Sequence, residues 1–518
     1  MNIGRLLTRS ATYWGRSPAV IFGGRQLTFA ELQARACRLA NALLALGLRP
    51  GDRVAAIAWN RPELVEVECA LFKAGLVKVM LNARLSEGEV HDCLGDAKPA
   101  VVLCDAEHEE MVRAGLATSM GTAERTTVPP VIRFGPAYED LLARASDRFT
   151  EQDLAPDALA VLHYSSGSTG KLKAAMHTVS NRFAAVRKVI MNRLRAEPGD
   201  ILLLSGPVSH ASGMFMQPWL VRGGCLSLMG RFEPEPLMRA LQDQGAAATY
   251  LVPTMISALL ANAHPRHYRL PQLRELSYGA APMAAARIRE AWEAFGPIMG
   301  QGYGTGETTG GLVLLTQRDH RRGIEGDKPE LLVSCGRAVS EARVELHDDD
   351  GTQVAPGEIG EICIRGPDVF AGYWNSPDLT REVLKDGWLH TGDLARVDDE
   401  GYLYIVDRKK DMVVSGGFNV YPAEVEQVLY RHPAVQDACV LGVPDPHWGE
   451  AVKAVVVPRA GQSLSADELI AFCEGKLAGF KKPRSVDFAT ELPKNPSGKV
   501  SRKELREHYW QGHSRRVN

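Results

Sequence analysis

The sequence predicts an α/β fold: a large N-terminal domain of two parallel-rich sheets flanked by helices, with a small β-rich subdomain, and a small mobile C-terminal α+β domain. Three observations support this prediction. Helix and strand patterns alternate in the first hundred residues, and the alternation returns after residue 155. Past residue 335, short strands separated by turns replace it. Alternating strands and helices favour parallel sheets covered by helices.

The first alternating stretch begins with a well-marked helix. Thr28 and Glu31 have the spacing of a capping box, and leucines from Leu32 to Leu46 follow on one helical face. After this helix we expect a strand at residues 54–59, a helix at 62–74 and a strand at 101–104.

The second stretch, from residue 155, shows the same alternation of strand and helix patterns. It predicts strands at residues 158–164, 201–204, 249–252 and 276–278 and helices at 180–194 and 235–244. Short strands are then expected at 343–347, 360–365 and 401–406, followed by a C-terminal unit with a helix at 423–430, strands at 438–443 and 451–457, and a second capped helix from Ser465 to near Gly479. We divide the chain into an N-terminal domain of residues 1–406 and a C-terminal domain of residues 407–518.

Composition and charge narrow the class of protein. The 518 residues include 60 Lys and Arg against 62 Asp and Glu, a formal net charge of −2, which lacks the basic excess of a nucleic-acid binder. The apolar runs have the length of strands, so no transmembrane segment is predicted. Nine scattered cysteines without a CxxC pair, and an N-terminus without a signal-peptide pattern, predict reduced thiols and a cytoplasmic enzyme.

The densest chemical signal is Tyr164-Ser165-Ser166-Gly167-Ser168-Thr169-Gly170-Lys171-Leu172-Lys173. The pattern places this segment between a strand and a helix. Glycines and small hydroxyls let backbone N–H groups approach an anion closely, and Lys173 could supply a counter-charge. The spacing is not that of a Walker A loop, because Leu172 follows Lys171. A surface turn is the alternative interpretation of such a run taken alone.

This segment resembles the phosphate loop of the acyl-adenylate-forming superfamily, which includes acyl-CoA synthetases, 4-coumarate–CoA ligases, luciferases and peptide-synthetase adenylation domains. The chain departs from the family loop at Leu172 and Ala174, where Pro and Gly are usual, and neither change removes a donor side chain. Further motifs follow in family order, so the resemblance extends from Thr28 to Arg502. It implies an ATP-dependent acid–CoA ligase that forms acyl-AMP, releases pyrophosphate and then makes a CoA thioester.

The resemblance also implies roles for individual residues. The catalytic residues would be Lys499, which bridges the reacting anions, Glu307, and His210 near the acyl carboxylate. Thr169 and Glu307 would bind Mg²⁺. The ATP-binding residues would be Ser165, Ser166, Gly167, Ser168, Thr169, Gly170, Lys173, Gly279, Ala280, Ala281, Gln301, Gly302, Tyr303, Gly304, Thr305, Thr308, Asp393 and Arg408.

Within this set, Tyr303 would stack on adenine, and Asp393 would accept both ribose hydroxyls. Gly306 stands where the family has a threonine that helps to bind the α-phosphate, so Thr305 or Thr308 is expected to compensate.

The resemblance makes Asp407 the hinge between the two domains, and Gly416 and Gly417 the lining of the tunnel for the CoA arm. We interpret the segments 360–367 and 372–374 as structural. Taken alone, several of these motifs have structural explanations as well: an Asx turn at Asp393, a hairpin turn at Gly416-Gly417 and a core histidine at His210.

The acid is poorly defined by the sequence. Met214, Met216 and Val252 suggest an apolar pocket for a medium-chain aliphatic or aryl acid. The stretch 202–232 contains no Asp or Glu, which argues against an amino-acid substrate. Two alternatives stay open: an adenylating enzyme that loads a carrier protein in trans, and an inactive scaffold, supported only by Leu172, Ala174 and Gly306. A homodimeric assembly is also left open.

Overall fold

The computed structural model describes residues 1–118, 128–166, 172–193, 195–415, 418–446, 448–494 and 499–511. The first part of the chain contains, in order, α1 (Gly4–Trp14), β1 (Pro18–Phe22), β2 (Arg25–Thr28), α2 (Phe29–Ala45), β3 (Arg53–Ile57), α3 (Pro62–Ala74), β4 (Val77–Leu81), α4 (Glu87–Ala97), β5 (Val101–Cys104), α5 (Glu109–Thr118), β6 (Val131–Arg133) and α6 (Pro136–Ala143).

The second part of the chain continues with β7 (Leu159–Ser166), β8 (Leu172–Thr178), α7 (Val179–Asn192), β9 (Ile201–Leu204), α8 (Met216–Val221), β10 (Cys225–Leu228), α9 (Pro234–Asp243), β11 (Ala248–Leu251), α10 (Pro253–Asn262), β12 (Glu275–Gly279), α11 (Ala285–Phe295), β13 (Met299–Thr305), β14 (Gly310–Leu315), α12 (Gln317–Glu325) and β15 (Arg337–Ala338).

Two small sheets follow. The first contains β16 (Arg343–His347), β17 (Gly360–Arg365), β18 (Leu384–Lys385), β19 (Trp388–Val397) and β20 (Leu403–Arg408), with α13 (Pro377–Val383) before β18. The C-terminal sheet contains β21 (Val413–Ser415), β22 (Phe418–Val420), β23 (Val435–Asp445), β24 (Gly449–Pro458) and β25 (Ser485–Phe488), with α14 (Pro422–Leu429), α15 (Ala466–Phe472) and α16 (Arg502–Tyr509).

The two large sheets confirm the parallel-rich prediction. Their described strands run β6-β5-β3-β4-β7-β8 and β15-β14-β13-β12-β11-β9-β10-β1-β2. Parallel pairing prevails inside both, and the antiparallel pairs lie at the edges, such as β7 with β8 and β13 with β14. The capping box of α2 forms as expected, with Thr28 and Glu31 bonded reciprocally.

The segment rich in serine and glycine connects β7 to β8, two antiparallel strands. The segment was predicted to lie between a strand and a helix from residue 180; the helix is present as α7, but the strand β8 lies before it and was not predicted. The reason is local: Thr178 and Asn181 form the capping box of α7, so the helix begins only after β8. A helix N-terminus consequently does not follow this segment, and residues 167–171 themselves lie outside the described part of the chain.

The C-terminal unit has its own hydrophobic core, which packs α14 and α15 against β23 and β24. Its helix α15 ends at Phe472, earlier than the predicted end near Gly479, and Gly475 follows in the left-handed region at φ 69°. β20 pairs with β19, whereas β21 pairs with β24, so the chain passes from one sheet to the other between Arg408 and Val413.

The nine cysteines are all buried free thiols. Burial raises the pKa of Cys69, Cys104 and Cys225 to about 12. The Cys335 thiol donates to the Leu403 carbonyl at 3.3 Å. Within the described residues, no helix has both the length and the apolar character needed to cross a bilayer.

Candidate active site

A cavity of about 2710 Å³ is lined by residues of the large sheets, the small β-rich sheet and the C-terminal unit. It brings together predicted site residues that lie more than 300 positions apart in sequence. Those that line it are Ser165, Lys173, His210, Met214, Val252, Ala280, Ala281, Gln301, Gly302, Tyr303, Gly304, Thr305, Glu307, Asp393, Asp407, Arg408 and Lys499.

At one end of the cavity, Asp393 lies between a phenol and a guanidinium. The Tyr303 hydroxyl donates to Asp393 Oδ2 at 2.7 Å, and Arg408 Nε donates to Oδ1 at 3.2 Å. Asp393 and Arg408 are a cross-strand pair of β19 and β20, which fixes this contact. Burial, together with the Asp393 charge, raises the pKa of Tyr303 well above its usual value, so the phenol stays a donor.

Glu307 is held by Tyr373, which sequence reasoning treated as structural. The Tyr373 hydroxyl donates to Glu307 Oε1 at 2.6 Å, and the Lys173 ammonium lies 4.5 Å from the centroid of the Tyr373 ring. Tyr373 therefore connects a carboxylate and a cation that the sequence places 134 positions apart. The segment that contains Tyr373 was noticed in the sequence because it follows the family order of motifs. A motif does not show where a side chain points, so the contact of Tyr373 with Glu307 could not be predicted.

Lys499 reaches the same cavity from the C-terminal unit. Burial lowers the pKa of Lys499 to about 8; the nearby Arg408 adds to this effect, while Asp393 and Glu307 oppose it. The segment that follows is anchored by Arg502, which donates to both Glu426 carboxylate oxygens at 2.7 Å. The structure thus places the Lys499 ammonium in the field of the two carboxylates of the N-terminal region.

Three histidines line the cavity close to one another. The ring centroid of His163 lies 5.9 Å from that of His177 and 5.3 Å from that of His210. Burial lowers the pKa of His163 to about 4 and that of His210 to about 3, so both rings are neutral at pH 7. Only His210 was selected from the sequence, because nothing in the spacing of His163 and His177 marks them as site residues.

Comparisons with known proteins match this arrangement. A family model described as AMP-binding enzyme matches residues 7–374, and a model described as AMP-binding enzyme C-terminal domain matches residues 424–499. The chain belongs to the AMP-binding enzyme family. It is an AMP-forming acyl-CoA synthetase that uses ATP.

The relatives of this family member include several named ligases. A feruloyl-CoA synthase of Amycolatopsis sp. is 40% identical over 511 residues, which is 98% of this chain and 99% of the relative. The fatty acid–[acyl-carrier-protein] ligase ScoC of Streptomyces coeruleorubidus is 33% identical over 513 residues, 97% of this chain and 95% of the relative. The ATP-bound crystal structure of MatB from Rhodopseudomonas palustris is 32% identical, with a TM-score of 0.88, and covers 98% of this chain and 99% of that chain.

Gly306, one of the three positions at which this synthetase departs from the family motifs, packs closely against a histidine ring. A Cβ atom at residue 306 would lie 2.9 Å from Cδ2 of His163, and the Gly306 carbonyl accepts a hydrogen bond from His177 Nε2 at 2.7 Å. A threonine would therefore collide with His163 unless that ring moved.

The two hydroxyls expected to compensate for Gly306 differ in their surroundings. The Thr308 hydroxyl is buried, does not line the cavity, and donates to the Thr305 and Gly310 carbonyls at 3.1 and 2.8 Å. Thr305 lines the cavity, and its hydroxyl oxygen, although buried, makes no hydrogen bond within the described part of the chain. Thr305 is thus the better candidate of the two.

Met216 is not where the acyl-pocket prediction put it. Its side chain is 0% exposed and packs in the hydrophobic core, whereas Met214 and Val252 line the cavity. A 3-10 turn over Ala211–Phe215 ends between the two methionines and directs them differently. Gly279 also lies off the cavity, paired with Gly302 in the sheet.

Some predicted residues of the synthetase cannot be placed. The described residues do not include Gly167, Ser168, Thr169, Gly170, Gly416 and Gly417, nor the side chain of Ser166.

Asp407, the predicted hinge residue, is described and buried: its Oδ1 accepts from the Arg408 N–H at 2.7 Å and its Oδ2 from the Ala423 N–H at 2.9 Å. Burial raises the pKa of Asp407 to about 6.

Proposed function

We propose that this synthetase activates an aromatic carboxylic acid as its acyl-AMP and transfers the acyl group to CoA. The observation that carries the proposal is one continuous cavity. Lys499, Glu307 and Asp393 line it at one end, and glycines, Met214 and Val252 line another part of it. The glycines are Gly302, Gly304, Gly310 and Gly311, and walls without side chains suit a flat ring.

In the first half-reaction, a carboxylate oxygen of the acid attacks the α-phosphorus of ATP, and the bond to pyrophosphate breaks. Two anions meet in this step, and the ammonium of Lys499 is suited to stabilise the charge that develops between them. Asp393 and Arg408 would hold the ribose, Tyr303 the adenine, and Lys173 a phosphate. The neutral His210 would orient the acid carboxylate by donating a hydrogen bond.

Mg²⁺ is expected at Glu307, together with Thr169. The donor set fits a hard cation, because Glu307 offers carboxylate oxygen and its Oε2 accepts no hydrogen bond from the described residues, while Tyr373 fixes Oε1. When bound, the ion would neutralise phosphate charge. The residues of this chain then have the task of holding the triphosphate in line with the acid.

In the second half-reaction, the CoA sulfur attacks the acyl carbon, the bond between the acyl carbon and the AMP phosphate oxygen breaks, AMP leaves, and the thiol proton passes to water. Lys499 must leave the cavity for this step, because one site serves two different attacks. We propose that the unit of residues 407–518 rotates about Asp407 and that Gly416 and Gly417 line the CoA path. The two hydrogen bonds of Asp407, one to the Ala423 N–H at the start of α14, make it a suitable pivot.

The feruloyl-CoA synthase relative supports an aromatic acid and CoA as acceptor. The fatty acid–[acyl-carrier-protein] ligase relative supports the second candidate, transfer of an aliphatic acyl group to a carrier protein. A homodimer stays a prediction.

The test is direct. The purified chain is given ATP, Mg²⁺, CoA and single acids from a panel of aromatic and aliphatic acids, and thioesters are measured by mass spectrometry. We expect aryl-CoA to accumulate. Turnover of aliphatic acids alone, or acylation of a carrier protein without consumption of CoA, would refute the proposal.

A further inference from the structure

Arg193 is a charged side chain that the mechanism above does not use. It is the C-cap residue of α7 and lines the cavity. Its guanidinium carbon lies 5.1 Å from the Phe215 ring centroid and 5.9 Å from the Tyr250 ring centroid. Burial lowers the pKa of Arg193, which records the cost of holding this charge away from water.

The backbone makes room for this guanidinium. A Cβ atom on Gly302 would lie 2.2 Å from Arg193 Nη1, and one on Gly311 would lie 3.3 Å from it. Side chains at either position would displace Nη1. The two glycines therefore allow the guanidinium to sit against the backbone of β13 and β14, where it faces the cavity.

Two of the three guanidinium nitrogens are already used by the protein. Nε donates to Ser277 Oγ and Nη2 to the Tyr278 carbonyl, both at 3.3 Å. Ser277 in turn donates to Glu275 at 2.5 Å, and the charge of this carboxylate offsets part of the Arg193 charge without a direct ion pair. Nη1 has no acceptor among the described residues, and no carboxylate among them forms an ion pair with Arg193.

Tyr250 offers a second donor nearby. It is buried, lines the cavity, and its hydroxyl makes no hydrogen bond to the described residues. Burial raises the pKa of Tyr250 to about 12, so its hydroxyl keeps its proton at neutral pH. Nη1 and the Tyr250 hydroxyl are thus two donors for which the described residues provide no acceptor, so a ligand in the cavity can accept a hydrogen bond from each of them.

A short backbone turn separates these donors from His210, the residue expected near the carboxylate of the acid. The 3-10 turn Ala211–Phe215 starts after His210 and ends at the ring beneath Arg193. Five residues that rise ~2 Å each span roughly 10 Å. An acid that reaches from His210 to Arg193 must therefore carry an extended ring system or a ring with a short spacer.

We propose that Arg193 and Tyr250 bind an oxygen at the distal end of the acid, and that this enzyme selects phenolic acids over acids without a distal oxygen. The inference rests on the proposed function, since it names the acid of the same site. A phenol oxygen is a single acceptor, which matches one free guanidinium nitrogen and one hydroxyl. The remaining N–H groups of Nη1 and Nη2 also suit a carboxylate, so a distal carboxylate is the competing ligand that the experiment must exclude.

The experiment compares 4-hydroxycinnamate with cinnamate, which differ by one hydroxyl, and adds 4-carboxycinnamate. kcat/KM for thioester formation is measured with the wild type, Arg193→Met and Tyr250→Phe. Arg239→Met, an exposed arginine of α9 paired with Glu235, is the matched control. In the wild type and the control we expect a preference for the hydroxylated acid of at least about tenfold. Arg193→Met should bring the ratio close to one while activity on cinnamate is retained, and Tyr250→Phe should lower it by a smaller factor.

Three results would overturn the inference: a wild-type ratio near one, an equal loss of both activities in Arg193→Met, or a preference for 4-carboxycinnamate. If Arg193→Met does not fold, Tyr250→Phe, which keeps the ring, provides the test. A ratio of the two kcat/KM values equal to that of the wild type would then overturn the inference. Failure of the proposed function gives a different signature, because the wild type then makes no thioester from any of the three acids.

Discussion

The two ends of the cavity satisfy their polar groups in different ways. At the nucleotide end, the groups bond to one another: Tyr303 and Arg408 to Asp393, and Tyr373 to Glu307. At the acyl end, Nη1 of Arg193 and the Tyr250 hydroxyl have no acceptor among the described residues. Hydrogen bonds between the residues of the nucleotide end keep that site in one geometry, which suits a ligand that is always the same. The donors of the acyl end have no acceptor among the described residues, so they can favour one acid over another. The nucleotide is common to the family, and the acid differs between its members.

The largest effect is expected when the ammonium of Lys499 is removed from the nucleotide end. Lys499→Ala should lower ATP–pyrophosphate exchange on the order of 10²–10³-fold, because the ammonium no longer stabilises the meeting of two anions. Thioester formation from added acyl-AMP should stay near the wild-type rate. Lys482→Ala, a lysine paired with Glu474, is the control. Unchanged exchange in Lys499→Ala would remove this lysine from the mechanism.

The close contact between Gly306 and His163 is tested by adding a side chain at residue 306. Gly306→Thr should destabilise the protein by about 1–3 kcal/mol, because its Cβ meets the His163 ring. The double variant Gly306→Thr with His163→Ala should recover part of that loss. Thermal unfolding of the four proteins gives the coupling. Gly88→Thr, where a Cβ meets nothing within 4 Å, controls for threonine in place of glycine. Equal unfolding temperatures for Gly306→Thr and the wild type would contradict the proposed collision.

The mutual bonding of the nucleotide end is tested at Tyr373. Tyr373→Phe removes the hydroxyl that donates to Glu307, so the carboxylate is held less firmly. We expect the Mg²⁺ concentration for half-maximal exchange to rise about tenfold, as for other residues that orient a metal ligand. Tyr13→Phe, an exposed tyrosine, should not change it. A lowered exchange rate with an unchanged Mg²⁺ dependence would assign Tyr373 to packing.

The smallest expected effect is a pH dependence. Lys499 is protonated below its pKa of about 8 and neutral above it, so kcat/KM for adenylation should fall as pH rises through 8, about tenfold per unit at higher pH. The arginine in Lys499→Arg stays charged over this pH range. Whatever activity this variant retains, its kcat/KM should therefore not fall above pH 8. A kcat/KM that stays level up to pH 10 would contradict a pKa near 8 for Lys499 in the free enzyme.

The sequence predicted the nucleotide end better than the acyl end, for a physical reason. Residues such as Asp393 and Lys499 occur in short motifs, because their neighbours must form a particular turn or strand pair around them. Arg193 and Tyr250 come from the end of a helix and the middle of a strand, and only the packing of β11, β13 and α7 brings them together. Met216 shows the same limit, since a 3-10 turn separates it from Met214.

The fold was predicted in outline, including both parallel-rich sheets and the capping box of α2. The hairpin of β7 and β8 was missed, because the residues after Lys171 contain no turn signal that separates a strand from a helix start. Thr178 and Asn181, which mark the true start of α7, lie seven and ten residues further on.

The burial of all nine thiols has a consequence for the fate of the activated acid. An acyl adenylate is a reactive electrophile, and a thiolate within its reach would capture the acyl group and modify the enzyme itself. Cys335 lines the cavity, yet its thiol donates to the Leu403 carbonyl, and burial raises its pKa above the usual range. The Cys335 thiol is therefore held in its protonated form, and a protonated thiol is a poor nucleophile toward an acyl adenylate.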